Sequence, residues 1–207
     1  MKYRYLLLWL MTALLGAPLH ASEPGPEALA KSVTDEVLAI VRADKDIQSG
    51  DRKKVLELVE SKIVPHFNFT RMTQLAMGRN WRQASAEQQK ALVEQFRALL
   101  VRTYTAAFTQ YRNETVEYRP MRMKPGDTDV VVQSFINRPG GQPVAVSYSM
   151  EKTGNGWKVY NVQIEGVSLI ENYRSTFNAE VQKGGVDGLI RTLSERNRQL
   201  AQQVQGG

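Results

Sequence analysis

The spacing of apolar positions changes period along this chain, and the change is sharpest in Trp157–Arg174, WKVYNVQIEGVSLIENYR. Tyr160, Val162 and Ile164, led by Lys158, alternate as on one face of a strand, while Asn161, Gln163 and Glu165 take the other. At Gly166 the period becomes helical. Val167, Leu169, Ile170, Tyr173 and Phe177 then share one side, and Glu171, Asn172 and Arg174 turn away. A strand thus feeds a helix through one glycine. Both carry apolar faces with nothing reactive on them, which points to enclosing a greasy ligand rather than reacting with it.

The same reading divides the rest of the chain into three blocks. From about Glu23 to Tyr111 it is helical. Glu27 to Ala43 carries Leu29, Val33, Val37, Ile40 and Val41 on one face. Asp51 can cap a second helix bearing Val55, Leu58, Val59 and Ile63, stopped by Pro65. A short helix around Thr70–Met77 ends at Gly78. Ser85-Ala86-Glu87-Gln88 is a capping box that opens the longest helix, whose stripe is Leu92, Phe96, Leu99, Leu100, Tyr104, Ala107, Phe108 and Tyr111. From Thr115 to Glu165 the pattern is a β meander. Val130, Val132 and Ile136 alternate, Arg138 to Gln142 turns, and Val144, Val146, Tyr148 and Met150 alternate again. Thr153-Gly154-Asn155-Gly156 turns into the Trp157 strand, and a weaker strand covers Val116 to Met123. The third block is helical: Gly166 to Lys183, a break at Gly184-Gly185, then Val186 to Gln203 with a frayed tail from Gln202. The expected fold is α+β: a curved antiparallel sheet of about four strands covered by helices on one face.

Composition adds an address. The chain has 207 residues and a formal charge of +6. Lys2 and Arg4, the apolar run Leu6–Leu15 and a cut after Ala21 read as a secretory signal peptide, leaving residues 22–207 as one domain. The apolar run is shorter than the ~20 residues of a spanning helix. An uncleaved anchor is the alternative, since Leu19 is large for its place before the cut. Losing Lys2 and Arg4 lowers the charge from +6 to +4. The basic charge of an exported protein suits anionic membrane or an acidic partner better than nucleic acid, or serves solubility alone. The absence of cysteine leaves the fold to its core and removes thiol chemistry.

The usual signatures of chemistry do not assemble. His66 is the one histidine left after cleavage, and it sits in a Pro65–Phe67 turn that suits a structural role. There is no G-x-S-x-G elbow. Asp127 and Asp129 flank a turn without a third metal ligand in view. Gly140-Gly141 and Gly154-Asn155-Gly156 precede strands, not helices, so they are turns rather than phosphate loops. Arg97, Arg102 and Arg112 can hold a phosphate or form a solvated face. Arg79 and Arg82 flank Trp81 either at a cavity mouth or on a plain surface.

Taken with their order and spacing, several segments resemble the MlaC family, also called toluene-tolerance periplasmic proteins. They are W-K-V-Y-N-V and E-G-V-S-L-I-x-N-Y-R within Trp157–Arg174, A-M-G-R-N-W-R-Q-A-S at Ala76–Ser85, F-R-x-L-L-x-x-x-Y at Phe96–Tyr104, and G-G-V-D-G-L-I at Gly184–Ile190. The resemblance covers nearly the whole mature chain. It implies an NTF2-like cradle and a soluble periplasmic phospholipid carrier that maintains outer-membrane lipid asymmetry. The carrier would move lipid between an outer-membrane lipoprotein complex and an inner-membrane ABC transporter complex with an MCE-domain subunit. It implies phospholipid as cargo, no cofactor, no catalysis and a monomer. On that reading Val130, Val132, Val144, Val146, Tyr148, Met150, Tyr160, Val162 and Ile164 form a cavity floor. Leu99, Leu100, Tyr104, Phe108, Leu169, Tyr173 and Phe177 form its walls, around a space of ~1,000 Å³ or more. A filled core presents the same pattern as a cavity. An exported enzyme, a binder of aromatic or other hydrophobic solutes, and an adaptor packed on itself therefore stand beside the carrier.

Overall fold

After the first helix, the helix starts in the first block are set by side chains that accept free backbone N–H groups. The computed structural model describes residues 23–109 and 114–205, and the side chains of 106–109, 204 and 205 fall outside that description. The expected signal segment, Tyr111 and Arg112 lie outside the described residues. Helix α1 (Pro26–Ala43) starts with proline in its first turn and ends at Asp44. The Asp44 carboxylate accepts from Asp46 and Ile47 N–H and so starts an unanticipated short helix, α2 (Lys45–Ser49). Asp51 caps α3 (Arg52–Leu58) through the Lys54 N–H at 3.0 Å, as expected. The chain then loosens into a π-helix, Val59–Ile63, and tightens into a 3₁₀ turn, Val64–His66. Ser61 donates its hydroxyl to Glu57 O at 2.7 Å, and Pro65 has no N–H to give, so the regular ladder fails there. Asn68 caps α4 (Phe69–Met77), which ends at Gly78 with φ 55°. A 3₁₀ segment, Gly78–Gln83, leads to α5 (Ala86–Thr109). The capping box is reciprocal: Ser85 N–H donates to Gln88 Oε1 at 2.9 Å, and Gln88 N–H to Ser85 Oγ at 3.2 Å.

Five strands, not four, form one open antiparallel sheet in chain order. They are β1 (Thr115–Tyr118), β2 (Asp129–Asn137), β3 (Val144–Thr153), β4 (Gly156–Ile164) and the two-residue β5 (Val167–Ser168). The fifth strand corrects the single-glycine corner. Glu165 (φ 51°) and Gly166 (φ 79°) both take positive φ and close a hairpin that pairs Ile164 with Val167. Glu165 tolerates this because Ala145 O accepts its N–H and its carboxylate accepts the Ala145 N–H. Helix α6 (Leu169–Gln205) follows and is broken at Gly184 (φ −137°) and Gly185 (φ 66°), where the sequence predicts a break. Its second half runs on to Gln205, past the predicted fraying point. No helix among the described residues is long and apolar enough to cross a membrane.

The interior is divided. One cluster joins α4, α5 and α6 around Phe96, Met72, Met77 and Phe177. A second joins α1, α2, α3 and the π-helix around Val37, Val41, Val55 and Val59. A third lies on the sheet around Val132, Met150, Trp157 and Val159. A polar clasp ties α4 to the sheet. Arg71 pairs with Glu151 of β3 and, at 2.8 Å, with Asp129 of β2, and its guanidinium stacks 3.7 Å from the Tyr160 ring of β4. Tyr160 donates to Asp129 at 2.7 Å, and Asn68 donates to Glu151 at 2.8 Å.

Because Glu151 is mostly buried, Arg71→Met is expected to lower stability by about 1–3 kcal/mol, a Tm drop of roughly 3–9 °C in thermal denaturation. The double variant Arg71→Met/Glu151→Met should lose less than the sum of the two single changes.

Candidate functional site

Between the sheet and the helices lies a cavity of about 590 Å³. Its floor is one face of β2, β3 and β4: Ile136, Val146, Tyr148, Met150, Val159, Val162 and Ile164. Its roof is α1, through Leu29, Val33, Val37 and Leu38, with Val59, Ile63 and Val64 of the π and 3₁₀ turns. Leu100, Val101 and Tyr104 of α5 and Leu169 at the start of α6 close the sides. The space is smaller than predicted, and Tyr104, Tyr118, Tyr148, Phe67 and Phe69 are among the residues that line it.

Of the residues named from the sequence, the structure brings Leu100, Tyr104, Val146, Tyr148, Met150, Val162, Ile164 and Leu169 together around this space. Others lie elsewhere. Leu99 and Phe177 are buried in the α4–α5–α6 cluster, with Tyr173 packed on it; the Phe96 ring meets Tyr173 and Phe177 each at 5.0 Å. Burial there pushes the Tyr173 phenol up to about 12. Val132 is fully buried in the sheet cluster, where Val130 packs against it, and Val144 pairs with Ile136 at the strand end without lining the cavity. Phe108 lies in α5 and its side chain is outside the described residues.

Tyr160 is displaced by a β-bulge. Tyr148 pairs with Val162 and Ser149 with Asn161, but Met150 pairs with Val159. Tyr160 is the extra residue, so the floor face reads Val159, Val162, Ile164 and Tyr160 goes to the Arg71 clasp. The signal was present in the sequence: Trp157 and Val159 alternate as apolar positions, one place out of step with Val162.

Polar groups around the cavity are mostly engaged with the protein. Tyr118 donates to Ala30 O at 3.0 Å and lies 2.7 Å from the Thr34 hydroxyl, tying α1 to β1. Burial pushes the phenols of Tyr118 and Tyr148 up, with Thr34 and Ser134 hydroxyls acting the other way. Thr105 donates back to Val101 O. Burial, then Lys158, hold the His66 imidazole below its ordinary value, against the pull of Glu36. Of the arginines considered for a head group, Arg112 lies outside the described residues and Arg102 does not line the cavity. Arg97 pairs with Glu60, and Trp81 packs on the α4–α5–α6 cluster beside Arg79 and Arg82, none of them on the cavity. The charged residues that do line it are Glu114 and Arg138, together with His66. Asp129 belongs to the clasp, and Asp127 accepts the Lys124 N–H in its turn.

The MlaC protein family model matches residues 31–195. The chain belongs to the MlaC family. Among its relatives is the intermembrane phospholipid transport system binding protein MlaC of Haemophilus influenzae, 22% identical over 197 residues, covering 94% of this chain and 92% of that protein. The toluene tolerance protein ttg2D of Pseudomonas putida is 23% identical over 163 residues, 78% of this chain and 75% of that one. A solved structure of a phospholipid-binding protein from Ralstonia solanacearum, in complex with a phospholipid, superposes with a TM-score of 0.79 at 47% identity, covering 86% of this chain and 99% of that one.

His66 gives this MlaC-family cavity a pH signature. A histidine whose folded value is lowered favours the fold when neutral, so stability holds above about 6.5 and falls as pH drops below it. Thermal midpoints measured from pH 7.5 down to about 5 should fall in the wild type and fall less in His66→Gln.

Proposed function

We propose that this protein is a periplasmic phospholipid carrier that encloses acyl chains between its sheet and its helical roof, and that it performs no catalytic step. The observation that carries the proposal is the cavity itself: apolar side chains of β2–β4 and of α1 face each other across unfilled space instead of packing together. The kinship above gives the ligand class. A phospholipid-binding protein that shares 47% of its residues was solved with a phospholipid bound.

The physics fits the proposal. Exposing roughly 30 methylenes of two acyl chains to water costs about 24 kcal/mol at ~0.8 kcal/mol each. A soluble carrier must therefore cover the tails. Transfer from a bilayer into a dry apolar cavity is close to neutral, because both exclude water. No reacting group is needed, and direction comes from the partners. On this reading the segment 1–21 is removed on export and residues 22–207 act as one unit. Lipid is exchanged with an outer-membrane lipoprotein complex and with an inner-membrane ABC transporter complex bearing an MCE-domain subunit.

Organic extraction of the purified mature protein followed by mass spectrometry should yield phospholipid near stoichiometric amounts, whereas a folded protein free of lipid speaks against the carrier. Val146→Asp puts a carboxylate on the floor, and Leu38→Trp fills the space from the roof. Each folded variant should retain less than about a tenth of the wild-type lipid.

A further inference from the structure

One arginine at this cavity has a guanidinium with no ion-pair partner among the described residues. Arg71 pairs with Asp129 and Glu151, Arg97 with Glu60 and Arg174 with Glu171, but no carboxylate among the described residues forms an ion pair with Arg138. Its position is built. Arg138 follows the last residue of β2 and opens a turn in which Gly141 N–H donates to Arg138 O at 3.1 Å. Pro139 fixes one φ and Gly140 takes φ 72°, the arrangement of a type II turn. Gly141 lies against the Arg138 side chain, where a Cβ would meet it at 3.5 Å. The guanidinium is thus carried by a constrained hairpin at the rim of the cavity it lines.

Exposure along the floor shows that this is the open end. Met150 is 1% exposed and Val159 6%, whereas Ile164, at the Arg138 end of β4, is 39% exposed. Across the β4–β5 hairpin its partner Val167 is 64% exposed. Acyl chains inserted toward Met150 leave their glycerol and phosphate at the Ile164 end, beside the Arg138 guanidinium. A planar fork of donors matches the two unesterified oxygens of a phosphodiester.

Resting on the carrier reading, we propose that Arg138 is the phosphodiester-binding group of the cavity mouth. It reads the diester that phospholipids share rather than the alcohol attached to it. The other charged rim residue, Glu114, faces inward from the chain before β1, and its carbonyl accepts from Arg42 at 3.2 Å.

The test loads the full mature protein from vesicles containing equal dioleoyl phosphatidylglycerol and dioleoylglycerol, then extracts and counts both lipids. The wild type should favour the phospholipid by about tenfold, Arg138→Gln should bring the ratio close to one, and Arg138→Lys should fall between. Arg119→Gln, which removes a charge stacked on Phe135 away from the cavity, should leave the ratio unchanged. Millimolar inorganic phosphate should also leave it unchanged. An Arg138→Gln protein with the wild-type ratio overturns the assignment, as does a wild-type ratio of one. A ratio abolished by inorganic phosphate shows a free-anion site and overturns it too. A wild type that takes up neither lipid overturns the carrier reading itself.

Discussion

The helical roof is held to the sheet at its margins by polar contacts, and the middle is left unpacked. Along β1 and the residues on either side of it, the Glu27 carboxylate accepts the Met121 N–H at 3.0 Å, Tyr118 bonds Ala30 and Thr34, and Arg42 reaches Glu114. At the deep end the Arg71 clasp joins α4 to three strands at once. Such bonds have fixed length and direction. They set the separation of roof and floor in a way that apolar surfaces, free to collapse on each other, do not.

Everything about the interior follows from that spacing. The apolar residues form three clusters instead of one, and the cavity is the gap between the α1–α3 cluster and the sheet cluster. Empty space in a core lowers stability roughly in proportion to its volume. About 590 Å³ is therefore a feature the fold keeps against its own stability, and bound acyl chains would return the missing contacts. The π-helix belongs to the same logic. Where Ser61 and Pro65 loosen the ladder, Val59, Ile63 and Val64 spread into the wall instead of closing into a regular turn.

How much of this was readable in the sequence depends on how local the signal is. Helix caps at Asp51 and Ser85, the Gly184–Gly185 break and the alternation of Val146, Tyr148 and Met150 are written within a few residues, and each appears where the pattern puts it. The errors arise where distant segments decide. A bulge set by β3 pairing moves Tyr160 off the floor. Packing of α6 on α5 buries Phe177 in a helical core, with Tyr173 against it, at the same apolar spacing a cavity wall has. Leu29, Val33 and Val37 are legible as an apolar stripe, but nothing in the stripe says that it faces open space. Arg138 reads as turn punctuation until β2 and β3 are paired around it.

The central claim is that acyl chains occupy the space between roof and floor, with their ends toward Met150 and Met72. A phospholipid carrying a photoreactive diazirine at the end of an acyl chain, bound to the mature protein and irradiated, tests this directly by peptide mapping of the labelled residues. The account predicts label on Met150, Val159, Phe67 or Met72 at the deep end of the cavity. Label confined to the opposite sheet face, at Ser147, Ser149 or Gln163, or no label on the protein, would contradict it.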